Sequence, residues 1–431
     1  MDTKSIVIAT GLAGLVTGAI WCLLMFRNQR RKISFRALLL LIIVAGLLCR
    51  VGYALLTPAF YAPDEKAHFS YIKFLAERHA FPIMPSKPDE SNGEYCQSPL
   101  YYLAMVPFYK MAHAMFPNPS TIVGCLRLFS IALWLLNVWL GSVLLKRLQV
   151  KDDFVWILVM SVVSLLPTYT ITSAAINNDN LLLAFSTGLL CLLTCSGLTL
   201  RQSILLGLML GFALYAKQSA GVFIPVIAFR TIQVCSRQRI RWPLGLAYFG
   251  ITMGIAAIMY SPWALRSLQV YGSFTPELLA APHRIWPSMA YGLASAVHNL
   301  IKTFWAVAGI TNNIGYPFPL AGMLLLAVAL VIPFAFLGQE SRLEPMLPED
   351  KKPMLTIFLI AMTINALLAL RFGYLLGMGQ GRHLFPVLYP FAILMAARLR
   401  FLPLKNLDVH TVGFWTTYAF TFAVFSLCRF P

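Results

Sequence analysis

The stretch Tyr61-Ala62-Pro63-Asp64-Glu65-Lys66-Ala67-His68-Phe69 places two adjacent carboxylates between a long apolar segment and an amphipathic one. Pro63 suits a helix start because its missing N–H would have no partner there, and the helix dipole favours acids in the first turn. We therefore predict a helix that opens at Asp64 and carries Asp64, Glu65 and His68 on one side. Its apolar stripe would comprise Phe69, Ile72, Leu75 and Ala76. The stretch alone fits both an interfacial helix and a catalytic loop, because structural charge pairs also cluster in this way.

The composition of the 431-residue chain indicates a polytopic membrane protein. Hydrophobic residues make up 59% of the chain and charged residues 12%, and the mean hydropathy is +0.73. A soluble domain of this length would not carry so apolar a surface. The formal charge of +18 does not point to nucleic acid, because basic residues in membrane proteins mark cytoplasmic loops and contacts with anionic headgroups. The eight cysteines include no pair with CxxC-type metal-ligand spacing.

The N-terminal residues set the predicted orientation. Residues 5–26 form an apolar run long enough to cross a ~30 Å core, and no small-residue cleavage site follows it. The basic residues that come next place this end in the cytoplasm; they are Arg27, Arg30, Arg31, Lys32 and Arg36. We predict that residues 1–35 form an additional uncleaved anchor with a basic cytoplasmic loop. The next span, 36–57, then delivers Asp64 and Glu65 to the outer face.

Residues 58–123 are predicted to form a long outer loop that contains the acidic stretch. Within it, residues 99–116 suit an interfacial helix because polar and aromatic side chains interrupt them. With that segment left out, the basic loops alternate sides consistently and about twelve spans result. The predicted spans are 5–26, 36–57, 124–147, 154–175, 180–198, 203–217, 219–235, 243–263, 318–338, 354–376, 384–399 and 410–430. The chain from 36 to 431 is thus predicted to be an all-α transmembrane domain.

Polar residues from well-separated parts of the chain gather on the predicted outer face, as they would at a site. They are Asp64, Glu65, His68, Glu94, Asp179, Lys217, Arg266, His283, Arg284, His298 and Arg382. An ordinary polar surface is a sufficient explanation for His283, Arg284 and His298.

Three features of this face are harder to explain as surface. Asp179 lies beside the membrane within Asn177-Asn178-Asp179-Asn180, although an aspartate at mid-membrane costs about 2.5–3.5 kcal/mol. Lys217 interrupts residues 203–235, which as one helix would measure about 50 Å, so we predict a turn there that lets the lysine reach an anionic lipid headgroup. The Gly-rich turn of residues 377–383 exposes N–H groups beside Arg382, which can receive a phosphate.

These motifs, in this order, resemble the GT-C membrane glycosyltransferases, and more narrowly a bacterial branch known mainly as a domain of unknown function. The resemblance covers about residues 36–400. Its motifs are Pro63-Asp64-Glu65 with His68 and Tyr71, Gln97-Ser98-Pro99-Leu100-Tyr101-Tyr102, Asn178-Asp179, Lys217, Phe304-Trp305 with Gly309, and Gln380-Gly381-Arg382. The chain departs from the pattern at Ser98, where a second proline is usual, and at His383, where an aromatic residue is common.

The resemblance implies a GT-C-like bundle and transfer of a sugar from a polyprenyl-phosphate donor to an extracytoplasmic glycan, lipid or protein. Such an enzyme would lie in the bacterial inner membrane and face the periplasm or cell exterior. Asp64 is the expected general base, with Glu65 orienting it or binding a metal. A divalent Mg²⁺ or Mn²⁺ would be held by Glu65, His68 and Asp179. The expected ligands of the substrate and lipid phosphate are Lys217, Arg382, Gln380, Gln97 and Tyr101.

The rival hypothesis is a transporter or flippase of a polar or lipid-linked substrate, because intramembrane charges and short broken helices also mark those proteins. Two observations count against it: the polar groups collect on one face, and no repeat relates the two halves of the chain. A non-catalytic assembly subunit is a third possibility, but it would leave the acidic motif without a role.

Overall fold

Helices form most of the part of the chain that the computed structural model describes, which comprises residues 3–30, 32–195, 197–237, 239–276, 284–309, 314–315, 346–377, 379–400 and 406–430. The helices are α1 (Thr3–Arg30), α2 (Phe35–Leu56), α3 (Glu65–Arg78), α4 (Leu100–Met115), α5 (Pro119–Arg147), α6 (Asp153–Leu165), α7 (Pro167–Thr172), α8 (Asp179–Leu193), α9 (Leu200–Ala216), α10 (Phe223–Ser236), α11 (Trp242–Tyr271), α12 (Met289–Trp305), α13 (Pro353–Leu376), α14 (Leu388–Leu399) and α15 (Leu407–Leu427). Two 3₁₀ segments (Gln218–Val222 and Gly381–Val387) and one antiparallel pair (β1, Val307–Ala308; β2, Ile314–Gly315) complete the regular structure there. The all-α prediction is confirmed.

Short polar residues begin several of these helices. Each accepts a hydrogen bond from a backbone N–H two or three residues further on, which satisfies one of the donors left free in a first turn. These N-caps are Ser34, Asn118, Asp152, Thr199 and Ser288. Local sequence thus determines where these helices start. Asp64, the N-cap residue of α3, is an exception because its side chain makes no cap hydrogen bond.

Five helical segments in the described ranges are long and apolar enough to cross a membrane, which indicates an integral membrane protein. They are Phe35–Leu56, Pro119–Arg147, Gln218–Ser236, Trp242–Tyr271 and Pro353–Leu376. Shorter apolar helices occupy three further predicted spans, at Asp153–Leu165, Asp179–Leu193 and Leu200–Ala216. The predicted number of about twelve spans is therefore not confirmed. The predicted span 318–338, like His283, lies outside the described residues.

The chain breaks its helix at Lys217, as predicted. Helix α9 ends at Ala216, Lys217 is extended with φ −162° and ψ 135°, and a 3₁₀ turn leads into α10. The predicted span 243–263 was too short, because α11 continues to Tyr271. Gly272 ends the helix in the left-handed conformation, with φ 67°. Such a C-terminal glycine is common because it has no Cβ to clash there.

Helices α3 and α4 pack on the part of α5 nearest its start. The predicted stripe of α3 is confirmed, since Phe69, Ile72, Leu75 and Ala76 are all buried. They form one apolar cluster with Tyr101, Tyr102, Met105 and Val123, among others. Burial of each large apolar side chain stabilises the fold by about 1.5–3 kcal/mol. This cluster holds the start of α3 against the rest of the bundle.

Helix α1 lies along α15, the last helix of the described chain. The Trp21 and His410 rings meet edge to face at 5.8 Å between centroids. Gly413 permits this approach because a Cβ there would overlap the Trp21 ring. The predicted division of the chain at residue 35 stays a prediction.

Candidate active site

Asp64 occupies the N-cap position of α3 but does not cap it. Its backbone is left-handed, with φ 60° and ψ 1°, and its side chain accepts no hydrogen bond from the first turn. Asparagine and aspartate are the non-glycine residues that most readily adopt this conformation. The carboxylate instead pairs with the guanidinium of Arg382. This orientation argues against a simple helix-capping role for Asp64.

A cluster of opposite charges surrounds this contact. Lys217 Nζ lies 2.7 Å from Asp179 Oδ1, and Arg382 Nε lies 4.0 Å from Asp179 Oδ2. The Asp179 and Arg382 side chains are only 6% and 11% exposed, whereas Asp64 retains 36%. The structure therefore brings together four residues from the predicted outer face, namely Asp64, Asp179, Lys217 and Arg382. We call these four the charged cluster; its formal charges cancel.

The Asp64 carboxyl is ionised at neutral pH. Loss of water around it would by itself raise its pKa, but the adjacent Arg382 guanidinium, with a smaller contribution from Lys217, lowers the pKa below its usual value of 3.8. Nearby opposite charge and hydrogen bonding to the charged form both act in this direction. Asp64 is therefore present as the unprotonated carboxylate, the form that a general base requires.

Gln97 and Tyr101 hold the segment before Asp179. The Asn177 N–H donates to Tyr101 Oη at 3.1 Å, and Asn178 Nδ2 donates to Gln97 Oε1 at 3.4 Å. Lys217 Nζ in turn donates to Asn178 Oδ1 at 3.3 Å. Gln97 and Tyr101 thus contact the two asparagines that precede Asp179. Their role as substrate ligands stays a prediction.

Gln380 and Arg382 line a small cavity beside the charged cluster. Thr168, Thr172 and Thr303 also line it, as does Pro63, the neighbour of Asp64 in the chain. Within the described chain, Gln380 Oε1 is buried with no hydrogen-bond partner. Gln380 therefore lies next to the charged cluster, and its role as a ligand of the substrate or lipid phosphate stays a prediction.

Gly381 allows the segment carrying Arg382 to touch α12. Its N–H donates to Thr303 Oγ1 at 2.6 Å. A Cβ on Gly381 would fall on the backbone N and Cα of Phe304. Glycine is therefore required at this contact by close approach of two backbones.

We expect Gly381→Ala to lower the free energy of unfolding by about 1–3 kcal/mol, the usual range for overpacking, because backbone atoms of α12 must move. Thermal unfolding of the purified protein in detergent measures this. Gly221→Ala is the matched control, since Gly221 also lies in a 3₁₀ segment but a Cβ added there would meet no atom within 4 Å. Equal stability of the two variants would contradict the close contact.

His68 is buried behind Asp64. Its Nδ1 lies 2.9 Å from Tyr102 Oη, and only 2% of the residue is exposed. Burial, reinforced by the charges of Lys217 and Arg382 and opposed by Asp64, lowers the pKa of His68 to about 3. His68 is consequently neutral at physiological pH.

This burial predicts a pH-dependent stability. Between pH 6.5 and about 3 the unfolded chain binds one proton more than the folded one at His68, so stability falls as the pH falls through that window. From pH 7 to pH 5 we expect a loss of about 2 kcal/mol from this residue. Thermal unfolding at the two pH values should show that His68→Gln flattens the dependence, whereas replacement of the exposed His79 by Gln does not. An unchanged slope in His68→Gln would contradict a neutral buried His68.

The prediction that Glu65 shares one side of α3 with Asp64 and His68 is wrong, because Glu65 faces α5. Its carboxylate pairs with Arg127 of α5, at 2.8 Å from Nε to Oε1 and 2.7 Å from Nη2 to Oε2. Both side chains are buried, at 0% and 3% exposure. The left-handed turn at Asp64 sends the two neighbouring carboxylates in different directions. Sequence analysis missed Arg127, although an arginine within an apolar span signals a buried partner.

The three predicted metal ligands do not come together. In the described residues no group of three or more His, Cys, Asp or Glu side chains is placed to hold a metal ion. Arg127 occupies both oxygens of Glu65, and Lys217 occupies Asp179. This arrangement does not fit a divalent ion held by Glu65, His68 and Asp179. A metal requirement stays a prediction.

Comparison with solved structures shows the fold. Neither protein-family models nor curated proteins give a match. The structure of ArnT from Cupriavidus metallidurans bound to undecaprenyl phosphate matches with a TM-score of 0.52 at 11% identity, over 90% of this chain and 76% of that one. Two structures from Archaeoglobus fulgidus score lower. The oligosaccharyltransferase AglB in complex with an inhibitory peptide and a dolichol-phosphate has a TM-score of 0.49 at 13% identity, over 90% of this chain and 56% of that one. The oligosaccharyltransferase tethered to an acceptor peptide has a TM-score of 0.47 at 13% identity, over 91% of this chain and 56% of that one. The ArnT match supports the predicted GT-C-like fold.

Proposed function

We propose that this protein is an integral membrane glycosyltransferase that transfers a sugar from a polyprenyl-phosphate donor to an acceptor outside the cytoplasm. The observation that carries the proposal is the contact between an ionised, partly exposed carboxylate, Asp64, and Arg382, with Lys217 nearby. A transferase of this kind needs a base for the acceptor and cations for the donor phosphate, within reach of one another. The similarity of the fold to ArnT, whose structure contains undecaprenyl phosphate, supports it.

The proposed reaction is an inverting displacement. The acceptor hydroxyl oxygen attacks the anomeric carbon of the sugar while its proton passes to the Asp64 carboxylate. The bond between the anomeric carbon and the phosphate oxygen breaks, and the phosphate leaves with that electron pair from the opposite face. Arg382 and Lys217 stabilise the negative charge that develops on the leaving phosphate. Arginine and lysine commonly have this role in phosphoryl chemistry.

The test is turnover by the purified protein in liposomes that contain a polyprenyl-phosphate-linked radiolabelled sugar, with a cell-envelope extract as acceptor. We expect labelled acceptor and free polyprenyl phosphate in equal amounts. Movement of intact donor across the bilayer, without cleavage of the sugar–phosphate bond, would instead support a transporter. The labelled product identifies the acceptor, and a series of donors compares sugars and lipid lengths.

The proposed site faces the periplasm or cell exterior of a bacterial inner membrane. We expect a membrane-impermeant thiol reagent to label Lys87→Cys in intact cells, because Lys87 is an exposed residue of the outer loop that carries Asp64. Arg201→Cys, at the start of α9 on the predicted inner side, should be labelled only after permeabilisation. The unsubstituted protein gives the background from its own cysteines. The opposite pattern would place the charged cluster in the cytoplasm and contradict the proposal.

A further inference from the structure

The polar side-chain atoms of the buried pair Glu65 and Arg127 all form hydrogen bonds. Besides the two bonds to Glu65, Arg127 Nη1 donates to the carbonyls of Ala54 and Thr57 at 3.0 and 2.6 Å, and Nη2 donates to that of Pro58 at 3.0 Å. All three carbonyls lie at or just beyond the end of α2. Arg127 therefore binds α5 to the start of the loop that leads to Asp64.

Glu65 extends the same network to two other segments. Its Oε2 accepts the N–H of Phe60 at 3.1 Å, and its Oε1 accepts the N–H of Ile176 at 3.2 Å. Phe60 has a φ of 66°, in the left-handed region that a bulky side chain rarely adopts. The hydrogen bond to Glu65 holds the loop in this disfavoured shape, four residues before Asp64.

The second of these bonds concerns Asp179. Ile176 comes three residues before it, and the intervening asparagines are fixed by Tyr101 and Gln97. One carboxylate thus contacts both segments that bring an acid to the charged cluster. Glu65 is itself next to Asp64 in the chain, so any shift of Glu65 also shifts Asp64.

We propose that Glu65 and Arg127 are positioning residues for sugar transfer, which fix Asp64 relative to Asp179 and Arg382 without contacting donor or acceptor. The inference rests on the proposed function, in which Asp64 is the base. It replaces the expectation that Glu65 orients Asp64 directly or binds a metal. A small misplacement of a reacting group can lower a rate by about 10²-fold, so the pair should affect the rate of the chemical step rather than donor binding.

The experiment compares Arg127→Lys and Glu65→Gln with the wild type. Lysine keeps the charge but not the forked geometry, and glutamine keeps the volume but places an NH₂ group against donors. We expect kcat to fall by about 10–100-fold per folded molecule, with the KM for the donor changed by less than about twofold, because Lys217 and Arg382 remain. Glu77→Gln is the matched control, since Glu77 forms an exposed pair with Lys73 on the same helix.

The same two changes are then made in an Asp64→Asn background. We expect no further fall in kcat there, because the group that they position is already lost, and such non-additivity marks residues that act together. Equal falls in both backgrounds would overturn positioning and leave only a structural pair. Full loss of activity in Glu65→Gln with none in Arg127→Lys would also overturn it, by making Glu65 the reacting group. A wild type that cleaves no donor would refute the proposed function itself, and the positioning role with it.

Discussion

Asp64→Asn should lower the rate of sugar transfer by about 10²–10⁴-fold, the usual contribution of a positioned general base. Asparagine has nearly the size of aspartate and tolerates the left-handed backbone at this position. No helix cap is lost, because the Asp64 side chain makes no cap hydrogen bond. We therefore expect a folded protein that still binds polyprenyl phosphate. Turnover of a polyprenyl-linked sugar, normalised to folded protein, is the measurement.

Glu90→Gln is the matched control for Asp64→Asn. Glu90 is an exposed acid in the same outer loop, 3.7 Å from Lys66, and exposed pairs of this kind contribute little. We expect it to transfer sugar at the wild-type rate. Near wild-type turnover by Asp64→Asn would remove the base from the proposal, and would favour the transporter hypothesis if the donor were also moved intact.

Lys217→Met should destabilise the protein by about 3 kcal/mol or more, because it leaves Asp179 buried without its nearest cation. The same change should weaken the binding of polyprenyl phosphate. To separate the two effects, Asp179→Asn is added to Lys217→Met, which removes both charges. We expect the double variant to regain most of the lost stability but none of the lost affinity. Unfolding in detergent and titration with polyprenyl phosphate measure the two quantities.

Lys302→Met controls for the loss of a lysine as such, since Lys302 is an exposed residue of α12. It should alter neither stability nor affinity. If the double variant bound polyprenyl phosphate as tightly as the wild type, Lys217 would be only the structural partner of Asp179. Arg382 would then be the remaining cation of the charged cluster for the donor phosphate.

Topology explains why the sequence could predict which residues meet. Asp64, Asp179, Lys217 and Arg382 each follow or precede an apolar segment, so the alternation of basic loops predicts all four at one membrane face. The turn at Lys217 follows from length alone, because one helix through it would be too long for the membrane. Neither the shared face nor the turn depends on how a side chain is oriented.

Orientation is what the sequence could not supply. The helical spacing of Asp64, Glu65 and His68 assumes a regular backbone, but the left-handed φ of Asp64 breaks that regularity at the first of the three. Glu65 rather than Asp64 turns inward because it pairs with Arg127, which lies 62 residues after Glu65 in the chain. Arg127, within the apolar part of the predicted span 124–147, was a usable signal, because a charge in an apolar helix needs a partner. Choosing that partner among several acids required the three-dimensional contacts.

The contact between α1 and α15 also orders events during synthesis. Helix α1 ends at Arg30, and α15 begins 377 residues later at Leu407. At a synthesis rate of roughly 5–20 residues per second, α15, which covers Trp21, is made about 20–75 s after α1. In water, an apolar face left uncovered for so long would favour aggregation. With α1 in a bilayer, as the sequence predicts, the lipid tails are as apolar as leucine and cover that face until the ribosome delivers α15.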